Sequence, residues 1–277
     1  MNRTRREISE KIAMGRLRIA SARAMIRLGK LLQSLAVVVM KPADLIEFSR
    51  RTYASPSSVD DWTRPELVDG GLSPEENLLL ERSPVQEGRM LLLGLGGGRE
   101  AVVLAKRGFS VTGVDFVAGM VERAKAHAAR QGAVIEGLVQ EISRLDVAPE
   151  GFDMAWLSAR MYSCIPTRQR RVRMLRRIAK ALRAGGCFIC LFHWDPQQKM
   201  DTRVLRMHRA VARLSFGHLQ YEPGDRLWFN REFIHAFADE TELRTEFAEG
   251  GFDLLHLFVS NEKKSGGALL RGKVGNR

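Results

Sequence analysis

"LLLGLGGGREAVVLAKRGFSVTGVDF" runs from Leu91 to Phe116. It opens with a short apolar run, passes through a burst of glycines and a helical stretch, and closes a second apolar run on Asp115. A short apolar run bounded by glycine is the pattern of a strand covered on both faces. Glycines at a strand-to-helix turn let backbone approach a ligand where any side chain would intervene. Gly94, Gly96 and Gly98 form such a turn, and Asp115 follows Gly94 by 21 residues. In a doubly wound sheet this interval brings the carboxylate to the adjacent strand end. There it can accept hydrogen bonds from both hydroxyls of a ribose.

The same alternation extends outward. Strands are expected at 90–93, 110–114, 133–139, 152–158 and 187–192, with helices at 100–107, 117–131 and over "RQRRVRMLRRIAKALR". Strands alternating with helices imply parallel pairing with helices on both faces. Two further apolar runs, "FDLLHLFVS" and "GALLRGKV", are joined by a polar turn too short for a crossover, so they form an antiparallel hairpin. The expected fold is α/β: a doubly wound, mostly parallel, seven-stranded sheet with an antiparallel C-terminal hairpin and a helical, basic N-terminal extension.

The 277 residues carry a net charge of +12, which points to an anionic partner and leaves the fold open. The first fifty residues hold eleven Lys/Arg against four acids. On a helical projection Arg16, Arg23, Arg27 and Lys30 share one face, opposite Leu17, Leu28, Leu31 and Leu35. This arm either docks on the main domain with a solvated basic face, lies through residues 1–40 on an anionic membrane, or contacts nucleic acid, the less favoured partner. Residues 1–70 are expected to form this extension and a loop, "ASPSSVDDWTRPELVDGGLS". Residues 71–277 form the main domain, with an insertion at about 194–250 that covers substrate. Ser73, Pro74 and Glu76 mark a capped helix start.

Three cysteines make no disulfide framework and suggest a reducing, cytoplasmic setting. Cys187 and Cys190 would point to opposite faces of one strand, so no metal is expected there. The apolar run Leu31–Met40 is too short to span a bilayer, and no secretory leader is expected.

A dinucleotide loop has the spacing G-x-G-x-x-G, and its third small position is Arg99 here. The spacing present is G-x-G-x-G. With its neighbours it resembles a class I S-adenosylmethionine (SAM)-dependent methyltransferase, from about Gly88 to the C-terminus. "LGLGGGRE", "VTGVDF", Gln140-Glu141-Ile142, "GFDMAWLSARMY", "LRAGGCFICLF" and the final hairpin resemble that family's elements in order. The resemblance implies SAM as cofactor, held by Gly94, Leu95, Gly96, Gly98, Asp115, Phe116, Glu141, Ile142 and Ser158. The chain departs from the family at Leu92, where an acid usually helps hold the methionine amine.

For the chemistry, His193 at the end of the fifth strand is the expected base, with the rate rising with pH through its pKa. His235 and Tyr162 are the further catalytic candidates, and Arg160 and Trp194 the substrate contacts. The expected acceptor is a small molecule or a lipid- or peptide-linked metabolite. The alternatives are an RNA or protein methyltransferase using the basic arm, or a non-catalytic SAM-binding protein.

Overall fold

A computed structural model describes residues 2–198 and 200–273, with the side chains of the first helix described from Met14 onward. Five helices precede the sheet: α1 (Asn2–Val39), α2 (Pro42–Ala54), α3 (Pro56–Trp62), α4 (Pro65–Val68) and α5 (Pro74–Glu81). The alternating region follows as β1 (Gly88–Leu93), α6 (Arg99–Lys106), β2 (Phe109–Asp115), α7 (Ala118–Arg130), β3 (Ile135–Val139), β4 (Phe152–Leu157), α8 (Arg168–Ala181) and β5 (Leu182–Trp194). The chain then forms α9 (Thr202–Ser215), β6 (Asp225–Trp228), β7 (Glu232–Phe237), α10 (Glu240–Glu249), β8 (Phe252–Ser260) and β9 (Ser265–Gly272).

Strands β3, β2, β1, β4 and β5 are parallel, and β9 runs antiparallel between β5 and β8. These seven strands are the doubly wound sheet expected from the sequence. The hairpin of β6 and β7 was not legible in the pattern. It attaches where His193 and Trp194 pair with Ala236 and Phe237, at the C-terminal end of β5. Strand order reverses at β1, which lies between β2 and β4, and the crevice beyond such a point is where open α/β sheets bind ligands.

Alternation along β1 divides the core. Leu91 and Leu93 join the layer containing Met174, Leu175 and Ile178 of α8, while Met90 and Leu92 join the layer under α6 and α7. Cys187 and Cys190 fall in these two opposite layers.

The stretch 54–73, expected as a loop, contains α3 and α4. Each starts with proline in its first turn, where the missing N–H costs nothing. Helix α5 begins as expected: Ser73 Oγ accepts from the Glu76 N–H at 3.2 Å, and Glu76 Oε2 accepts from the Ser73 N–H at 2.7 Å. Arg99 clamps this helix to the domain, with one guanidinium donating to both Glu76 oxygens at 2.8 Å and to Glu100 at 2.6 Å. Helix α10 packs on α8 and β8 as a layer helix. The segment outside the doubly wound pattern is therefore 195–239, narrower than expected.

A buried charge pair fastens that segment. Arg171 of α8 is fully buried. It donates to Glu246 of α10 at 2.7 Å and to Glu222, ahead of β6, at 3.1 Å, while the Tyr162 hydroxyl donates to Glu246 at 2.6 Å. Removing one partner of a buried pair leaves the other charge uncompensated. Glu246→Ala is expected to lower the unfolding free energy by about 3 kcal/mol in urea titration. The double variant Arg171→Met/Glu246→Leu should cost less than that single change.

Candidate active site

The site is built at the C-terminal ends of β1, β2, β4 and β5. Gly94, Gly96 and Gly98 all have positive φ, at 79°, 50° and 90°, so the turn leaving β1 is one that L side chains rarely adopt. Their surroundings differ. A Cβ at Gly96 would meet nothing within 4 Å, whereas one at Gly98 would sit 3.1 Å from Ala124 and hold α6 away from α7. At Gly94 a Cβ would overlap the Met161 thioether, which rests on the turn. Gly97 lies against Val68 and the Trp62 carbonyl, so α3 and α4 pack directly on the loop. Leu95 is buried and fills the space above Gly113.

Asp115 is buried at the end of β2. Its Oδ2 accepts from the Gly96 N–H at 2.9 Å and its Oδ1 from the Val117 N–H at 3.0 Å. Burial pushes its pKa up, and the backbone N–H groups of Gly96, Val117 and Phe116 pull against that rise. Each carboxylate oxygen keeps acceptor capacity beyond these bonds. Across the crevice Ser158 is buried with a hydroxyl that has no partner among the described residues. An open glycine, a buried acceptor and an orphaned hydroxyl around one turn fit a ribose-bearing cofactor with a polar second moiety. Ile142 is buried, Glu141 lies 3.5 Å from Arg144 and 3.8 Å from Arg170, and Phe116 packs with Tyr53 and Val59.

The scan against known families matches residues 90–186 to a family described as "Methyltransferase domain". That stretch, about a third of the chain, is similar to SAM-dependent methyltransferases, in keeping with the resemblance noted in the sequence. SAM is the cofactor that this similarity implies, and the glycine loop lies inside the matched residues. Ubiquinone biosynthesis O-methyltransferase of Maricaulis maris is 27% identical over 176 residues, covering 62% of this chain and 61% of that protein. Its counterpart in Coxiella burnetii (strain RSA 493 / Nine Mile phase I) is 30% identical over 116 residues, covering 42% and 48%. The chain thus spans about half to three-fifths of the curated relatives it matches. Among solved structures, a SAM-dependent methyltransferase from Methanosarcina mazei aligns with TM-score 0.56 and 19% identity over 74% of this chain and 99% of that one. The CcbJ methyltransferase from Streptomyces caelestis aligns with TM-score 0.58 and 15% identity over 82% and 98%. The [4+2]-cyclase SpnF aligns with TM-score 0.55 and 16% identity over 72% and 80%.

The chemical candidates sort by environment. His193 sits at the ligand edge of β5 with its ring 4.8 Å from that of Trp228, and its backbone N–H donates to Ser163 Oγ at 2.8 Å. Burial lowers its pKa to about 4, helped by the charges of Arg160 and Arg226. The rate rise through an ordinary imidazole pKa, expected from the sequence, therefore moves far below neutral pH. Tyr162 lies in the core against Phe237 and Phe247, its hydroxyl spent on Glu246. The Trp194 indole N–H donates to Asn261 at 2.9 Å, in the turn after β8. Arg160 is exposed at the end of β4.

His235 belongs to a buried charge cluster in the β6–β7 hairpin. Its Nδ1 lies 2.8 Å from Asp225 and its Nε2 is 3.3 Å from Glu242. Burial and Arg171 both oppose its protonation, but the hydrogen bonds to Asp225 and Glu242 and the Asp225 charge outweigh them, and its pKa rises to about 9. The Asp225 pKa is lowered: burial would raise it, and the hydrogen bonds with His218 and His235 overcome that. His235 is a cation that pins the hairpin at neutral pH.

Two outcomes follow. A His whose folded pKa lies above the ordinary value of 6.5 stabilises most below that value, and this stabilisation disappears as pH rises through about 9. Between about pH 6 and about pH 10, wild type should lose about 3 kcal/mol of unfolding free energy that His235→Gln does not lose. Calorimetry should also show SAM binding weakened about 10–100-fold by Asp115→Asn, the worth of a charged hydrogen bond. Gly96→Val, which fills the open space, should abolish it.

Proposed function

We propose that this chain transfers the methyl group of SAM to an ionisable hydroxyl, a phenol or catechol, carried on a small apolar molecule. The observation that carries this reading is the field at His193. Arg160 and Arg226 are close enough to depress the imidazole pKa, and the same two cations favour an oxyanion at that edge. The two curated relatives named as O-methyltransferases support an oxygen acceptor.

When bound, SAM supplies a methyl already activated by its sulfonium, so the chain's own task is alignment and handling of the acceptor's proton. Asp115 and the Gly94–Gly98 backbone hold the nucleoside, and the orphaned Ser158 hydroxyl serves the moiety that lies toward β4. No carboxylate stands at Leu92, which is buried in the layer under α6, so the methionine amine relies on backbone and hydroxyl groups. Neutral His193 accepts a hydrogen bond from the acceptor hydroxyl and orients it. Its protonated form would face two guanidiniums, which makes it a weak base, and Arg160 and Arg226 assist it by favouring the ionised acceptor.

With labelled SAM and a panel of simple catechols, methyl transfer is expected. Arg160→Gln and Arg226→Gln should each lower kcat/KM at neutral pH by about tenfold, and should move the midpoint of the pH–rate profile upward as the acceptor becomes harder to ionise. His193→Gln should cost about 100-fold, the low end for a general base, with no inflection near neutral pH. Transfer to no hydroxyl acceptor, with SAM still bound, would remove this reading in favour of a non-catalytic SAM-binding protein.

A further inference from the structure

Between Met14 and Val39, α1 carries Arg16, Arg18, Arg23, Arg27 and Lys30 and no acid. Only its last turns are covered. Val37 and Val38 pack with Leu45, Ala212, Tyr221 and Phe233, and the Val38 carbonyl accepts from the His218 N–H at 2.7 Å. The preceding turns expose large apolar side chains: Leu17 is 67% exposed, Met25 71% and Leu32 58%. With 3.6 residues per turn, Leu17, Leu28 and Leu31 lie on one side, about a quarter of a turn round from the stripe of Arg16, Arg23, Arg27 and Lys30. Water alone does not favour such an arrangement, because a contiguous exposed apolar face of this size marks an interaction surface.

A second surface of the same composition adjoins the covered end of α1. Helix α9 packs on α1 and presents Arg206, Arg209 and Arg213 on one face, again with no acid within the helix. The end of this helix and the turn that follows it leave Leu214, Phe216 and Leu219 exposed, with Phe216 at 75%. Phe229, at the tip of the β6–β7 hairpin, is 79% exposed, and its neighbour Asn230 accepts a hydrogen bond from Gln33 of α1. Gly217 is pressed against the backbone of Val38 and Val39, so the two surfaces are parts of one body. An open cleft of about 590 Å³ lies on the α9 side, lined by Arg209, Arg213, Leu219, Gln220 and Tyr221.

We infer that α1 and the α9–hairpin tip form a docking surface for an anionic lipid bilayer, with the apolar side chains at the acyl boundary and the Arg209–Arg213 cleft taking headgroup phosphate. The charge complementarity selects this occupant. A second copy would bring cation against cation, whereas an anionic leaflet neutralises both helices while accepting their leucines and phenylalanines. Among the described residues no helix is long and apolar enough to cross a membrane, so the geometry is that of a helix lying on the surface. The stretch of α1 from Met14 to Val39 is about 39 Å long, enough to spread its basic residues over several headgroups.

The test is co-sedimentation of the full chain with phosphatidylcholine vesicles, with and without a one-third share of phosphatidylglycerol, at physiological ionic strength. Binding is expected only with phosphatidylglycerol. The variant Arg23→Glu/Arg27→Glu/Arg209→Glu/Arg213→Glu should weaken it by about a hundredfold or more, with an unchanged thermal melt. Leu28→Asp/Phe229→Asp should weaken it too, while leaving the salt dependence of the residual binding in place. Equal binding to both vesicle types, or to neither, overturns the inference. So does a dimer in sedimentation equilibrium that ignores vesicles, or RNA binding that falls steeply with salt while vesicles are ignored.

Discussion

Asp115 holds the site together before any ligand arrives. A buried carboxylate is costly unless it is hydrogen-bonded, and here its two oxygens accept from the backbone on either side of the crevice. One bond fixes Gly96 in the turn after β1, and the other fixes the start of α7. The Gly96 N–H is turned toward that side chain, while the β1–β2 ladder and the Val114 carbonyl, which accepts from Gly94 and Leu95, hold the rest of the turn. A residue able to accept from a ribose is thereby already part of the scaffold.

Much of this was legible because the signals are local. Apolar runs covered on both faces mark parallel strands, and a polar turn too short for a crossover marks the closing hairpin. Ser73 and Glu76 announce α5 within four residues. What could not be read depends on partners distant in sequence. Arg171 looks like one of several solvated arginines on α8 until Glu222 and Glu246, 51 and 75 residues away, are brought to it. Tyr162 and His235 carry side chains suited to catalysis, but the fold spends both on that cluster. Helices α3 and α4 escape notice for a nearer reason: Pro56 and Pro65 look like turn residues in the sequence, although proline is equally at home in a first helical turn.

His193 shows how position and chemistry separate. The sequence placed it at the ligand edge, where the structure also has it, but the properties assigned to it were those of an imidazole in water. Burial beside two guanidiniums changes its proton affinity without moving it. The fold alone does not settle such matters, since methyltransferases and a [4+2]-cyclase share it at comparable similarity.

The N-terminal helices touch the domain at several places, first α1 on α9 and β6 and α2 on β7, then α3–α4 on the glycine loop at Gly97. The first two contacts are with the 195–239 segment, which is itself additional to the doubly wound sheet. Neither addition has a complete core of its own, since Val37, Val38 and Leu45 are buried only because Ala212, Tyr221 and Phe233 cover them. Each segment therefore supplies the cover that the other's apolar face needs, and removing either would leave the other with an exposed apolar face.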